Sequence, residues 1–136
     1  MKGCLLMDDY LKNWLEKAGE DLKVAKHELA LPDDEMVSSA ICFHCQQAVE
    51  KYIKAFLVAN QMEFGKTHNL EYLIELASSK SPEISDVEIG NLSFFAVNAR
   101  YPDSEFIELG RDDCQKAVQI AENIRVFVMA KINLQH

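Results

Sequence analysis

The chain has 136 residues, is 49% hydrophobic and 26% charged, and carries a formal net charge of −8. That length supports one core and is short for two, since domains usually run to about 100–150 residues. The acidity excludes a protein that coats nucleic acid indiscriminately through many Lys and Arg contacts to phosphate. No run approaches the ~18–20 consecutive apolar residues of a membrane span.

The opening MKGCLLM has an apolar piece from Cys4 to Met7, shorter than the ~7–15 residues of a signal-peptide apolar region. A cytoplasmic location is the expectation. From Asp8 to Ala30, Leu11, Leu15, Ala18, Leu22, Ala25 and Leu29 recur at three- and four-residue steps, which predicts an amphipathic helix with a charged outer face. Tyr10 and Trp14 sit four apart on it, either as a packing pair or as an exposed partner surface. Leu31-Pro32 stops it, because the residue before a proline is steered away from helical geometry.

Asp33, Asp34 and Glu35 place negative charge where a helix N-terminus favours it, so the second helix is expected from roughly Asp34 to Gln61. Its apolar residues (Ile41, Cys42, Cys45, Ala48, Val49, Tyr52, Ile53, Phe56, Leu57) occupy most of its circumference, which predicts the most buried element. Cys42 and Cys45 spell C-x-x-C with no second ligand pair, and a zinc site would need His27 or Cys114 to converge on them. Cys4, Cys42, Cys45 and Cys114 are read as buried small thiols; no metal and no other cofactor is expected.

Gly65 breaks the pattern, and Thr67, His68 or Asn69 can cap a third helix carrying Leu70, Leu73, Ile74 and Ala77, ended by SSKSP. A fourth helix is expected from Ser85 or Asp86 to Arg100, terminated at Tyr101-Pro102. The last, about Ser104 to Leu134, has Phe106, Leu109, Cys114, Ala117, Val118, Ala121, Ile124, Val128 and Ile132 on its inner face. The fold class is all-α: an antiparallel up-and-down four-helix bundle with an additional short helix, in one domain spanning 1–136.

Charge is unevenly spread. Residues 1–35 hold nine acidic and five basic side chains, whereas 36–68 hold Glu50 and Glu63 against Lys51, Lys54 and Lys66. On the second helix His44, Gln47, Lys51 and Lys54 follow i, i+3, i+7, i+10 and form one stripe. It can present donors to a phosphate, or serve as a polar seam in which Glu50 and Lys54 make an ordinary i, i+4 pair. Lys66, Thr67 and His68 lie where a helix N-terminus offers free N–H groups to an anion; the alternative is a cap with His68 in a structural hydrogen bond. Arg100 can hold a phosphate bidentately and Tyr101 can stack or donate, or Arg100 can serve the helix dipole. His27, on a charged face, and His136, at the end, receive no role.

The segments Gln46-Gln47-Ala48-Val49-Glu50-Lys51, Lys54-Ala55, Thr67-His68-Asn69-Leu70 and Ala99-Arg100-Tyr101-Pro102, in this order and approximate spacing, resemble the HEPN domain family, over most of the chain. The resemblance implies a four-helix up-and-down bundle with an additional short helix, similar to the substrate-binding domain of kanamycin nucleotidyltransferases, and self-association, here as a homodimer. It also implies a partner: a separately encoded minimal nucleotidyltransferase, which the HEPN chain serves as substrate-binding subunit or as one half of a toxin–antitoxin pair. Other members are metal-independent ribonucleases with an Arg followed four to six residues later by a His.

Here Arg100 is followed by Tyr101-Pro102-Asp103-Ser104-Glu105-Phe106-Ile107, with no histidine. Proton transfer near neutral pH suits His and cannot be done by Phe or Ile, so His44 or His68 would have to supply it. The leading expectation is a non-catalytic module with no catalytic residue, binding a nucleotide or RNA phosphate through Arg100, Tyr101, Lys51, Gln47, His44, Lys54, His68 and Lys66. The alternatives are a dimeric metal-independent endoribonuclease and a purely structural dimeric adaptor. The chain has no P-loop, dinucleotide glycine fingerprint or H-E-x-x-H motif, which argues against an NTPase, dehydrogenase or metalloprotease.

Overall fold

A computed structural model describes residues 2–90, 92 and 109–135, with side chains placed over 9–90, 92 and 109–133. Every element among them is helical: α1 (Lys2–Leu29), α2 (Ser38–Ala59), α3 (Leu70–Ser78), a 3-10 turn at Pro82–Asp86, and α4 (Arg111–Gln135). Helix α2 is the centre, packed along both α1 and α4 and touched by α3. None of the described helices is long and apolar enough to cross a membrane.

The apolar stripes read from the sequence form the core. Leu11, Ala18, Leu22 and Ala25 of α1 face Ile41, Cys45, Ala48, Val49, Tyr52, Ile53 and Phe56 of α2, and Cys114, Ala117, Ala121, Ile124, Val128 and Ile132 line α4, all buried. Full burial of a Leu, Ile or Phe side chain is worth about 1.5–3 kcal/mol, so packing against α2 dominates the stability of each neighbour. The two C-x-x-C thiols and Cys114 behave as core side chains: Cys42, Cys45 and Cys114 are free and buried, while the Cys4 side chain lies outside those described. Burial pushes Cys45 up to about 12, and Cys114 shares a hydrogen bond with Cys42 across the α2–α4 seam.

Helix ends depart from the sequence reading where backbone bonds override charge preference. α2 begins at Ser38 and not at Asp34. The Pro32 carbonyl accepts from Glu35 and Met36 N–H, both at 2.9 Å, closing a separate turn, and Val37 is extended with φ −100°. The Val37 N–H instead donates to Glu28 Oε1 at 3.0 Å. α2 ends at Ala59, two residues short of Gln61: Gln61 takes a left-handed φ of 58°, and Gln61 N–H donates to Val58 O at 3.0 Å and Met62 N–H to Leu57 O at 2.9 Å. This is the paired bonding of a Schellman C-terminus, with Gln where Gly is usual.

Asn69 caps α3, its Oδ1 accepting from Tyr72 N–H at 3.0 Å. The helix expected from Ser85 or Asp86 does not start there: Pro82–Asp86 form the 3-10 turn, with Ile84 buried beneath it, and residues 87–90 are non-helical, ending at Gly90 with a left-handed φ of 52°. Leu92 is helical, and 91 and 93–100 lie outside the described residues. So do 104–108 of the last predicted helix, and Leu109 and Gly110 precede α4 as non-helical backbone. Asp113 reaches back to accept from Gly110 N–H at 3.0 Å, half of a capping box. Arg111 then ties α4 to the end of α1: Nη1 donates to Leu29 O at 2.5 Å, Nη2 to Leu31 O at 2.6 Å, and Nε to Asp33 Oδ1 at 2.6 Å.

Candidate functional site

Two polar clusters flank α2, each made of one carboxylate, one histidine and one lysine. In the first, Asp21 of α1 takes His44 Nδ1 on Oδ1 at 2.9 Å and Lys51 Nζ on Oδ2 at 2.5 Å. Asp21 sits on the flank of the α1 apolar stripe, beside Ala18, Leu22 and Ala25, so helix packing carries it against α2. All three side chains are partly open, at 13% for Asp21, 30% for His44 and 25% for Lys51. A carboxylate on Nδ1 fixes the imidazole and leaves Nε2 as the atom available to another group. Neutral, that nitrogen accepts a proton; charged, it donates to an anion beside the Lys51 ammonium.

In the second cluster Glu50 of α2 is 2% exposed. Its oxygens both lie 3.1 Å from His68 Nδ1, and Oε2 is 3.4 Å from Lys54 Nζ. Lys54 is itself buried, with its ammonium 5.4 Å from the Trp14 ring centroid and 5.6 Å from that of Phe64. The rings meet edge-on, Trp14 to Phe64 at 6.0 Å and Tyr10 to Trp14 at 6.2 Å. Ring faces and a carboxylate together compensate a desolvated cation. Tyr10 is half-exposed, so the pair expected on α1 is packed at Trp14 and open at Tyr10.

The structure thus divides the predicted stripe. His44 and Lys51 come together on Asp21, Lys54 turns inward to Glu50, and Gln47 Nε2 donates to the neighbouring Gln46 Oε1 at 3.0 Å. His68, read with Lys66 and Thr67 at the start of the third helix, lies against Glu50 and is 80% exposed; Lys66 is exposed beside it, and Thr67 Oγ1 accepts from Asn69 N–H at 3.1 Å. Arg100 and Tyr101 lie outside the described residues. The carboxylates organising both clusters were not selected as site residues by sequence reasoning: Asp21 is one of nine acidic residues in the first 35, and its signal is position beside the apolar stripe, not residue type. No group of three or more His, Cys, Asp or Glu side chains among the described residues is arranged to hold a metal ion.

The chain has similar proteins of known sequence and of known structure. It is 30% identical over 130 residues to the protein named "Putative toxin MJ1304" of Methanocaldococcus jannaschii, covering 85% of this chain and 83% of that protein. Its fold is similar to the crystal structure of ST0689, an archaeal HEPN homologue, with a TM-score of 0.65 and 21% identity over 90% of this chain and 97% of that one. The HEPN domain family model matches residues 11–132, a span that includes α2, α3 and both carboxylate clusters, and the chain therefore belongs to the HEPN domain family.

Proposed function

We propose that this chain is the HEPN component of a two-protein system, pairing with a minimal nucleotidyltransferase and engaging the phosphate of a nucleotide or RNA. The observation that carries the ligand half is the Asp21 cluster: His44 and Lys51, a histidine and an ammonium, are held side by side by one carboxylate and remain partly open. A held donor pair loses less freedom on binding than two free side chains. The name of the Methanocaldococcus jannaschii relative supports a toxin–antitoxin setting, and the family resemblance supports the nucleotidyltransferase partner and a homodimer.

Purification of the native chain from its own cells, followed by identification of bound proteins and of any nucleotide or RNA, tests both halves. Recovery of a nucleotidyltransferase, with a phosphate-bearing ligand whose retention falls in a Lys51→Ala protein, is the expected result. A bare homodimer without ligand or second protein overturns the reading in favour of a structural adaptor.

A second reading, a metal-independent endoribonuclease, is favoured by the same dyad. Asp21 orients His44 in the manner that holds a general base, and His44 could supply the histidine missing after Arg100. Cleavage of unstructured RNA in EDTA that disappears in both His44→Asn and Arg100→Ala proteins supports it; no cleavage by the native chain removes it.

A further inference from the structure

On the flank of α1 opposite Asp21, a cavity of about 330 Å³ opens between α1, α2 and α4. Its wall carries Lys23, Lys26 and His27 from α1 and Arg125 from α4, with Glu122 the one carboxylate among its lining. Three fixed cations against one anion leave the groove at +2 before His27 is counted, on a chain whose overall charge is −8. Such a reversal of sign concentrates anions locally.

Glu122 does not cancel the cations so much as place them. It accepts from Lys26 Nζ through Oε1, and from Arg125 through Oε2, at 2.9 Å from Nη2 and 3.1 Å from Nε. The Arg125 hydrogen bond is the main reason its carboxyl is held below the usual range, so it stays charged and keeps both cationic heads over the cavity. The floor is Tyr52, whose residue is 4% exposed. Burial raises its phenol, which is therefore a neutral O–H donor at physiological pH. A Cβ built on Gly19 would sit 3.7 Å from Tyr52 Oη, so the absent side chain leaves the approach to the hydroxyl open on that side.

We propose that this groove is an anion site, in which Lys23, Lys26 and Arg125 surround a phosphate group whose oxygen accepts from the Tyr52 hydroxyl. The phosphate belongs to a free nucleotide or to a single RNA strand, and the site is separate from the Asp21 face. The volume matches small-ligand clefts, which begin at ~300 Å³, and the donor set, the remaining Arg125 N–H groups, ammonium groups and a phenol, is one that phosphate oxygens use.

The test uses the full chain and two probes: ATP by calorimetric titration, and a fluorescein-labelled unpaired oligoribonucleotide of about 12 nucleotides by anisotropy. Two variants address the groove by different routes. Lys23→Gln/Lys26→Gln removes charge from an exposed helix face, and Gly19→Leu covers the Tyr52 hydroxyl without changing charge; circular dichroism and Tm establish that each is folded. The expected result is a loss of about tenfold or more in affinity for both variants, with the salt slope of RNA binding reduced by about 2 in the double variant. ATP binding alone identifies the source as a nucleotide; RNA binding alone identifies a strand. The proposal is overturned when neither probe binds the native chain, or when both folded groove variants bind as the native chain does. Loss confined to Lys51→Ala would leave the Asp21 reading standing and remove this one.

Discussion

Asp21 and Glu50 each gather one histidine and one lysine, yet only the Glu50 cluster splits them between inside and outside. At Glu50 the lysine is inside and the histidine outside, with side-chain exposures of 6% and 80%. At Asp21 the two are comparable, 25% for Lys51 and 30% for His44. Identical residue types therefore do different work. Lys54 is enclosed and its charge is fully committed to Glu50 and two rings, whereas Lys51 and His44 are held in place but can still meet a solute. The same contrast separates an anchor of the α2–α3 corner from a partly open surface.

The strongest way to break this comparison is Glu50→Ala. It strands the Lys54 ammonium in the core and is expected to lower unfolding free energy by about 3–5 kcal/mol in denaturant titrations, while Glu50→Leu/Lys54→Met recovers most of that loss. A cost below about 1 kcal/mol would mean that Glu50 is as well hydrated as Asp21. Next in size is Asp21→Ala, expected to cost about 1–2 kcal/mol, because two partly open cations lose an acceptor but regain water. The same protein should lose the fixed His44 tautomer, read from the imidazole nitrogen chemical shifts by NMR.

His68→Ala is expected to cost only about 0.2–1 kcal/mol, as for exposed ion pairs, since the buried Lys54 still neutralises Glu50. A larger loss would move His68 from cover to keystone. The smallest effect is that of Glu122, a third carboxylate with two cations and no histidine. Its folded-state value is depressed from 4.5, so its contribution is present above that value and is lost as pH falls through the lower folded one. Glu122→Gln should therefore cost about 0.3–0.5 kcal/mol near neutrality, as for a helical ion pair, and progressively less as pH falls below the ordinary carboxylate range, measured as Tm difference against pH.

Much of the architecture was legible because burial follows period. Leu11, Ala18, Leu22 and Ala25 on α1 and the near-continuous apolar surface of α2 lie where their spacing puts them. Helix ends were less legible, since the acidic triplet after Pro32 satisfies the rule for a helix start while the Pro32 carbonyl draws the backbone into a turn. The Glu50–Lys54 pair follows from its i, i+4 spacing, whereas Asp21 was hardest to find. A lysine and a histidine announce themselves as candidates by residue type, but which acid meets them depends on how α1 rotates against α2, and Asp21 is 30 residues from Lys51. The groove was hidden for a similar reason: Lys23 and Lys26 look like any solvated helix face until Arg125 arrives from about 100 residues away, and a glycine inside a helix reads as a weakness before Tyr52 is seen beneath it.

Arg111 joins positions separated by 82 and 80 residues through the Leu29 and Leu31 carbonyls. Those bonds close a single long circuit that contains α2, α3 and the whole segment up to α4. Closing a loop of that size costs chain entropy that grows only slowly with length, but it has to be met before the clamp contributes anything, so the clamp should form after α1 and α2 have docked. Contacts made late in folding chiefly govern how fast a protein comes apart. Arg111 is thus a latch on lifetime: its loss should speed unfolding far more than it slows folding, leaving a chain that assembles normally and opens early at the α1–α4 seam.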